Sequence, residues 1–154
     1  MSFETGTTVA PPWTYWIEHS GTIQRATGTA HTGNAALQIS SFQRGGPLQT
    51  VSAGPGPFAA RAYFLLPAGS SSNAKVQLYV DLLDAQMKVL DRPKSEIIPI
   101  GPAGQWGSVE FAGTIPASVD GKAVANVRLV VTVSFVENGV TVYVDDASLY
   151  WNAP

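Results

Sequence analysis

Val127-Arg128-Leu129-Val130-Val131-Thr132-Val133-Ser134-Phe135 decides the fold class. Val127, Leu129, Val131, Val133 and Phe135 fall on one side, and a period of two marks a strand with two unlike faces. Val76-Gln77-Leu78-Tyr79-Val80-Asp81-Leu82 repeats that period. After Glu137-Asn138-Gly139 comes Val140-Thr141-Val142-Tyr143-Val144. Asn-Gly between two β-rich runs predicts a hairpin, because both residues tolerate positive φ. Weaker strands are expected near 21–28, 35–41, 47–52, 57–66, 86–90, 95–100 and 106–112. Pro11-Pro12, Gly45-Gly46-Pro47, Gly54-Pro55-Gly56-Pro57, Ser70-Ser71-Ser72-Asn73, Gly101-Pro102 and Asp120-Gly121 punctuate them. A single helical turn is expected within 116–126. Short strands at this spacing predict an all-β chain, one antiparallel β-sandwich domain over residues 1–154.

The chain has 154 residues, 45% of them hydrophobic, enough for a core without staples. It has no cysteine, which excludes a disulfide framework and any cysteine-based metal site. Charged residues make up only 13%, against roughly 25% in ordinary domains. A net charge of -2 argues against general nucleic-acid binding. No basic region or apolar run at the N-terminus reads as a secretory signal, and no stretch approaches the ~18 apolar residues of a membrane helix. His19 and His31 have no partner at metal-ligand spacing, and no nucleophile elbow, phosphate loop or His-Glu-x-x-His motif is present. Two of the eleven acids converging for sugar hydrolysis is the enzymatic reading left. Most acids flank turn residues, where solvated loop charge is the simpler reading, so the chain is expected not to be an enzyme.

Three segments, in order, carry a resemblance. They are Ser2-Phe3-Glu4, Ala30-His31-Thr32-Gly33-Asn34-Ala35-Ala36-Leu37, and Val142-Tyr143-Val144-Asp145-Asp146-Ala147-Ser148-Leu149. Gln105-Trp106 ahead of Ile115-Pro116 adds a fourth. Together they resemble carbohydrate-binding modules of the family 4, 9 and 22 type across residues 2–150. The resemblance implies a jelly-roll of two packed antiparallel sheets with one concave face. It also implies a structural calcium between the chain's ends, with Glu4 and Asp145 or Asp146 as side-chain ligands and the His31–Asn34 turn lending carbonyl oxygens. A hard cation wants several oxygens, and two carboxylates offset its charge. Asp145 is favoured over Asp146 because alternation puts it on the face of Ala147 and Leu149, where a carboxylate needs a partner or a metal. The plainer alternative is that both aspartates cap an edge and Glu4 is a solvated charge.

With Val76, Leu78, Val80 and Leu82 facing the core, Gln77, Tyr79 and Asp81 point the other way. With Phe58, Ala60, Ala62 and Phe64 inward, Arg61 and Tyr63 point out, as do Arg128, Thr132 and Ser134 on the later strand. If these strands are neighbours, as the resemblance implies, one face carries Arg61, Tyr63, Gln77, Tyr79, Asp81 and Arg128. Rings to stack on pyranose C–H faces and polar groups to bond hydroxyls are what a sugar site needs. The same residues also suit an ordinary wet face, with Arg61–Asp81 as a surface pair. Trp13, Tyr15 and Trp16 suit a platform beside the groove or, for at least one of them, packing over the open end of the sandwich. Trp106 and Trp151 are expected in the core or at its rim.

Two functions follow. The first is a non-catalytic module that binds a neutral polysaccharide or glycan on the concave face, extracellular and attached to a glycoside hydrolase. The second is a phage or virion structural protein on the same jelly-roll, a capsid-decoration or tail-associated component. It would form a homo-oligomer such as a trimer, contact a capsid or tail protein, and use the concave face on host glycans. A start at Met1 just before the first strand, without a leader, and an end at Trp151-Asn152-Ala153-Pro154 favour the virion setting if Met1 is native. Neither function calls for a nucleic acid or a membrane.

Overall fold

The computed structural model describes residues 3–6 and 12–151. The expectations that touch Met1, Ser2, Pro11 and Asn152-Ala153-Pro154 lie outside them. In chain order the strands are β1 (Thr14–Glu18), β2 (Thr22–Thr27), β3 (Ala35–Ser40), β4 (Arg44–Ser52), β5 (Gly56–Leu65), β6 (Lys75–Leu83), β7 (Val89–Asp91), β8 (Ile98–Pro99), β9 (Trp106–Ile115), β10 (Ser118–Val119), β11 (Lys122–Ala123), β12 (Asn126–Ser134) and β13 (Thr141–Trp151). No helix occurs among the described residues. One sheet runs β1-β4-β12-β6-β7, with β8 also paired to β6, and the other runs β2-β3-β13-β5-β9. All pairings in both sheets are antiparallel, and the architecture is an all-β jelly-roll sandwich.

Alternation places the core as expected. Phe58, Ala60, Ala62 and Phe64 of β5 meet Val76, Leu78, Val80 and Leu82 of β6 and Val127, Leu129, Val131 and Val133 of β12 in one apolar cluster. The ends are tied in as well. Phe3 is fully buried with its ring 5.2 Å from that of Trp13. Arg25 donates to the carbonyls of Phe3 and Glu4 at 2.8 and 2.7 Å.

Four local expectations are corrected. Asn138-Gly139 does not close a hairpin, because β12 and β13 belong to different sheets. The turn closes on itself, Val140 N–H to the Glu137 carbonyl at 3.0 Å with Gly139 at φ 80°, and carries the chain across the sandwich. Both flanking runs must present an apolar face to the same core, so they face each other across it instead of pairing edge to edge. Phe135 leaves the alternation: at φ 62° its ring turns out and is 58% exposed. Residues 116–126 hold the small hairpin β10–β11 rather than a helical turn. Asp120 and Gly121 sit at φ 48° and 75°, the double positive φ of a type I′ turn.

The fourth correction positions the site. Gly45-Gly46-Pro47 lies inside β4 and is no break. The β4–β12 ladder is interrupted between Leu48↔Val130 and Gly45↔Val133, which accommodates a proline with no N–H to give. Gly45 and Gly46 both sit at φ 151°, and a Cβ on Gly46 would fall 1.8 Å from the Val131 carbonyl oxygen. The close approach brings β1, a strand not foreseen in the sequence, alongside β4.

Two predictions follow from this framework. Gly46→Ala loses at least about 2 kcal/mol of unfolding free energy in urea, from backbone strain and the carbonyl clash together; an unchanged midpoint contradicts the packing described. The second concerns Glu137. The Ser72 hydroxyl, then the Asn73 backbone N–H (2.8 Å), hold its carboxyl down to about 2 from 4.5. A carboxyl lowered in the folded state contributes stability above its unfolded value and loses it as pH falls. Glu137→Gln therefore melts below the parent at pH 7, and the gap closes between pH 4.5 and 2. A gap constant over that window rules the contribution out.

Candidate functional site

A groove of about 340 Å³ opens on the outer face of the six-stranded sheet. β1 contributes Trp16 and Glu18, β4 Arg44 and Leu48, β12 Arg128, Val130 and Thr132, and β6 Tyr79 and Asp81, with Arg92 just past β7. Alternation explains Trp16: Trp13 and Tyr15 turn to the core, so Trp16 and Glu18 turn out.

Asp81 organises this face. Its side chain is 0% exposed, and two guanidiniums close over it. Arg92 donates through Nε to Oδ1 and through Nη2 to Oδ2 (3.1 Å), while Arg128 donates through Nε (2.9 Å) and Nη2 to Oδ2. Hydrogen bonds between charged groups are roughly twice as strong as neutral ones, and a buried carboxylate needs them. A second chain of bonds sits beside the first. Gln77 Nε2 donates to the Ser95 carbonyl (2.7 Å), the Tyr79 hydroxyl donates to Gln77 Oε1 (2.8 Å), and Arg44 Nη2 donates to the Tyr79 oxygen (3.2 Å). Arg92 lies 5.6 Å from the Tyr79 ring centroid and Arg44 5.8 Å from that of Trp16. Two buried atoms of groove residues have no partner among the described residues: Thr132 Oγ1 and Trp16 Nε1.

Of the residues expected to share a binding face, Gln77, Tyr79, Asp81 and Arg128 come together here. Arg61 and Tyr63 do not, because β5 belongs to the other sheet. Arg61 pairs with Glu110 at 2.8 Å in place of Asp81, and the His31 ring stacks on Tyr63 with centroids 3.7 Å apart. They line a separate recess of about 600 Å³ beside Ala59, Ala112 and the 69% exposed Tyr150. Asp81 lies beneath its arginines instead of facing solvent. Of the three aromatics offered as a platform beside the groove, Trp16 alone lines it, whereas Arg44 and Arg92 were missed as site residues. Alternation through residues 13–18 singles out Trp16, and Arg92 sits in a connection with no period.

The residues that the resemblance implied for calcium meet around loop 31–35. The Glu4 carboxylate accepts the N–H groups of Asn34 (3.0 and 3.1 Å) and Ala35 (3.2 Å). Asp145, fully buried, accepts those of His31 (2.8 Å), Thr32 (3.3 Å) and Asp146 (2.7 Å). Asp146 bonds the His31 ring and the Thr32 hydroxyl, both at 2.8 Å. A β-bulge between Asp145 and Ser148, with Asp146 at φ 45°, shifts the alternation, so that Val142 and Val144 before it and Ala147 and Leu149 after it all reach the core. Burial pushes the Asp145 carboxyl up, and the amide bonds from Asp146 and His31 oppose that. Among the described residues no group of three or more His, Asp or Glu is placed to hold a metal. The loop turns amide N–H groups, not carbonyls, toward the two carboxylates.

Asp81→Asn is expected to lower the unfolding free energy by roughly 3 kcal/mol, the cost of leaving desolvated guanidiniums short of their counter-charge. Urea unfolding reads it, and a loss below about 0.5 kcal/mol, the range of an ordinary surface substitution, would show that both arginines find water instead.

No protein-family model and no curated protein matches the chain. Solved structures do match its fold. The CBM22-1 xylan-binding domain of Paenibacillus barcinonensis Xyn10C is 17% identical over 99% of this chain and 93% of its own, with a TM-score of 0.65. The module TmCBM61, solved with β-1,4-galactotriose, is 17% identical over 98% and 94%, with a TM-score of 0.66. The enzymatically active domain of bacteriophage CBA120 tailspike protein 4 is 11% identical over 92% of this chain but only 20% of its own, also with a TM-score of 0.66. The chain has the jelly-roll fold of carbohydrate-binding modules.

Proposed function

We propose that the chain is a non-catalytic glycan-binding domain and that the groove of Trp16, Arg44, Tyr79, Arg92, Arg128 and Thr132 is its site. The observation that carries this reading is the pairing of two aromatic rings with two unpartnered polar atoms, Thr132 Oγ1 and Trp16 Nε1, in one groove. Pyranose C–H faces stack on the rings, sugar hydroxyls bond the exposed guanidiniums of Arg44 and Arg92, and a small side-chain shift gives the two buried orphans a partner. Hydrolysis would need two free carboxylates flanking the bond. Asp81 is saturated by arginine and Glu18 lies 3.7 Å from Arg44, so the groove offers no such pair. β-1,4-linked xylo- and galacto-oligosaccharides are the first ligands to test.

Trp16→Ala and Tyr79→Ala are each expected to weaken binding at least tenfold, about 1.4 kcal/mol, in calorimetric titration. Arg61→Ala with Tyr63→Ala is expected to leave it unchanged. The opposite pattern would move the site to the other sheet. The tailspike shows the same fold within a phage protein, so a particle-borne setting is the second reading; in it the groove grips host-surface glycans.

Calcium remains part of the proposal. Asp145 is a buried carboxylate bonded by amides and by no cationic side chain among the described residues; Oδ2 takes both His31 and Thr32, whereas Oδ1 takes only Asp146 and keeps a lone pair for a cation. Asp145 and Glu4 would hold the ion, which would fasten the Phe3–Glu4 segment to loop 31–35. Calcium added after chelation is expected to raise the melting temperature, and an unchanged value would remove it from the account.

A further inference from the structure

We infer that the glycan taken by this groove carries a carboxylate, a uronate unit placed against Arg44 and Arg92. The inference rests on reading the groove as the glycan site and goes beyond it in naming the ligand's charge.

Its starting point is the inventory of charge. Three guanidiniums, Arg44, Arg92 and Arg128, line the groove with two carboxylates, Asp81 and Glu18. The groove is therefore positive in a chain whose net charge is -2. Asp81 has no exposed surface, so its charge is spent internally, whereas the arginine side chains stay open: 51% for Arg92, 46% for Arg44 and 25% for Arg128.

The inventory of hydrogen bonds points the same way. A guanidinium carries five N–H donors and no acceptor. Arg92 uses Nε and Nη2 on Asp81, which leaves Nη1 free of that pair and its plane already oriented. Arg44 gives Nη2 to Tyr79 and meets Glu18 only at 3.7 Å. Two of the acceptors nearby are already engaged, Gln77 Oε1 by the Tyr79 hydroxyl and the Tyr79 oxygen by Arg44, which leaves Glu18 and the Thr132 hydroxyl against the three guanidiniums. A neutral sugar hydroxyl both donates and accepts, so a donor-rich wall satisfies it only by half. A carboxylate only accepts, and its planar oxygens match a guanidinium fork.

The test is calorimetric titration of the full chain with uronate oligosaccharides, each against its own methyl ester: oligogalacturonate and xylo-oligosaccharide bearing glucuronate. Sulfated and neutral oligosaccharides complete the panel. The expected result is binding of a uronate form at least tenfold tighter than its ester, weakening as salt rises from 50 to 300 mM, since exposed charges are screened within about 10 Å. Arg44→Gln, at a half-exposed position with weak partners, is expected to remove most of that preference while leaving the melting temperature in place. Equal binding of acid and ester, or binding of sulfated or neutral glycans alone, overturns the carboxylate and leaves the glycan site standing, provided Trp16→Ala weakens it. Binding of none of the panel overturns both.

Discussion

A carboxylate with no exposed surface at the centre of a sheet must be compensated on the spot, and Asp81 is compensated by two arginines from different parts of the chain. Arg128 reaches it from the neighbouring strand β12 and Arg92 from the connection after β7. Burying an isolated charge costs far more than the net stability of a domain. The position of Arg92 is therefore tied to the fold, and so is the segment behind it. Val80 N–H bonds the Pro93 carbonyl at 2.9 Å, and Ser95 N–H bonds the Leu78 carbonyl at 2.9 Å. That segment covers the outer side of β6 and supplies the Ser95 carbonyl that orients Gln77, which in turn orients Tyr79. Two positive groups on one negative group leave a surplus facing the groove.

The opposite wall depends on a backbone feature. Gly45 and Gly46 let β4 approach both Trp16 and Val131 at distances no side chain permits, and Pro47 sits where the ladder skips. The same skip lies beside Thr132, a groove-lining residue whose buried hydroxyl has no partner among the described residues. The interruption of pairing and the polar orphan thus belong to one local geometry. Sheets are commonly irregular where they meet ligands.

The inward half of the fold was legible in the sequence because alternation is a local property. It assigned Val127, Leu129, Val131, Val133, Phe58, Ala60, Ala62 and Phe64 correctly. It could not say which strands share a sheet, a matter of long-range pairing, so Arg61 and Tyr63 were grouped with residues that lie across the sandwich. The Asn138-Gly139 signal identified a turn but not its neighbours. Phe135, Asp146 and the Gly45-Gly46 pair take positive φ, which breaks the period of two at the points that matter. Tyr79, Asp81, Arg128 and Thr132 of the groove, with Gln77 bonded behind Tyr79, were visible from strand faces. Arg44 and Arg92 were hidden because one follows a bend and the other lies in a connection whose place is set by bonds to β6.

The central claim is that ligand enters beside Trp16 on the six-stranded sheet. Heteronuclear NMR of the labelled chain, titrated in turn with xylohexaose and hexagalacturonate, tests it most directly. The account predicts that the Trp16 indole N–H and the amides of Tyr79 and Thr132 shift with one of these sugars, while the Trp106 indole and the amides of Tyr63 and Tyr150 stay still. Shifts gathered around Tyr63, Trp106 and Tyr150 with Trp16 unmoved would contradict it.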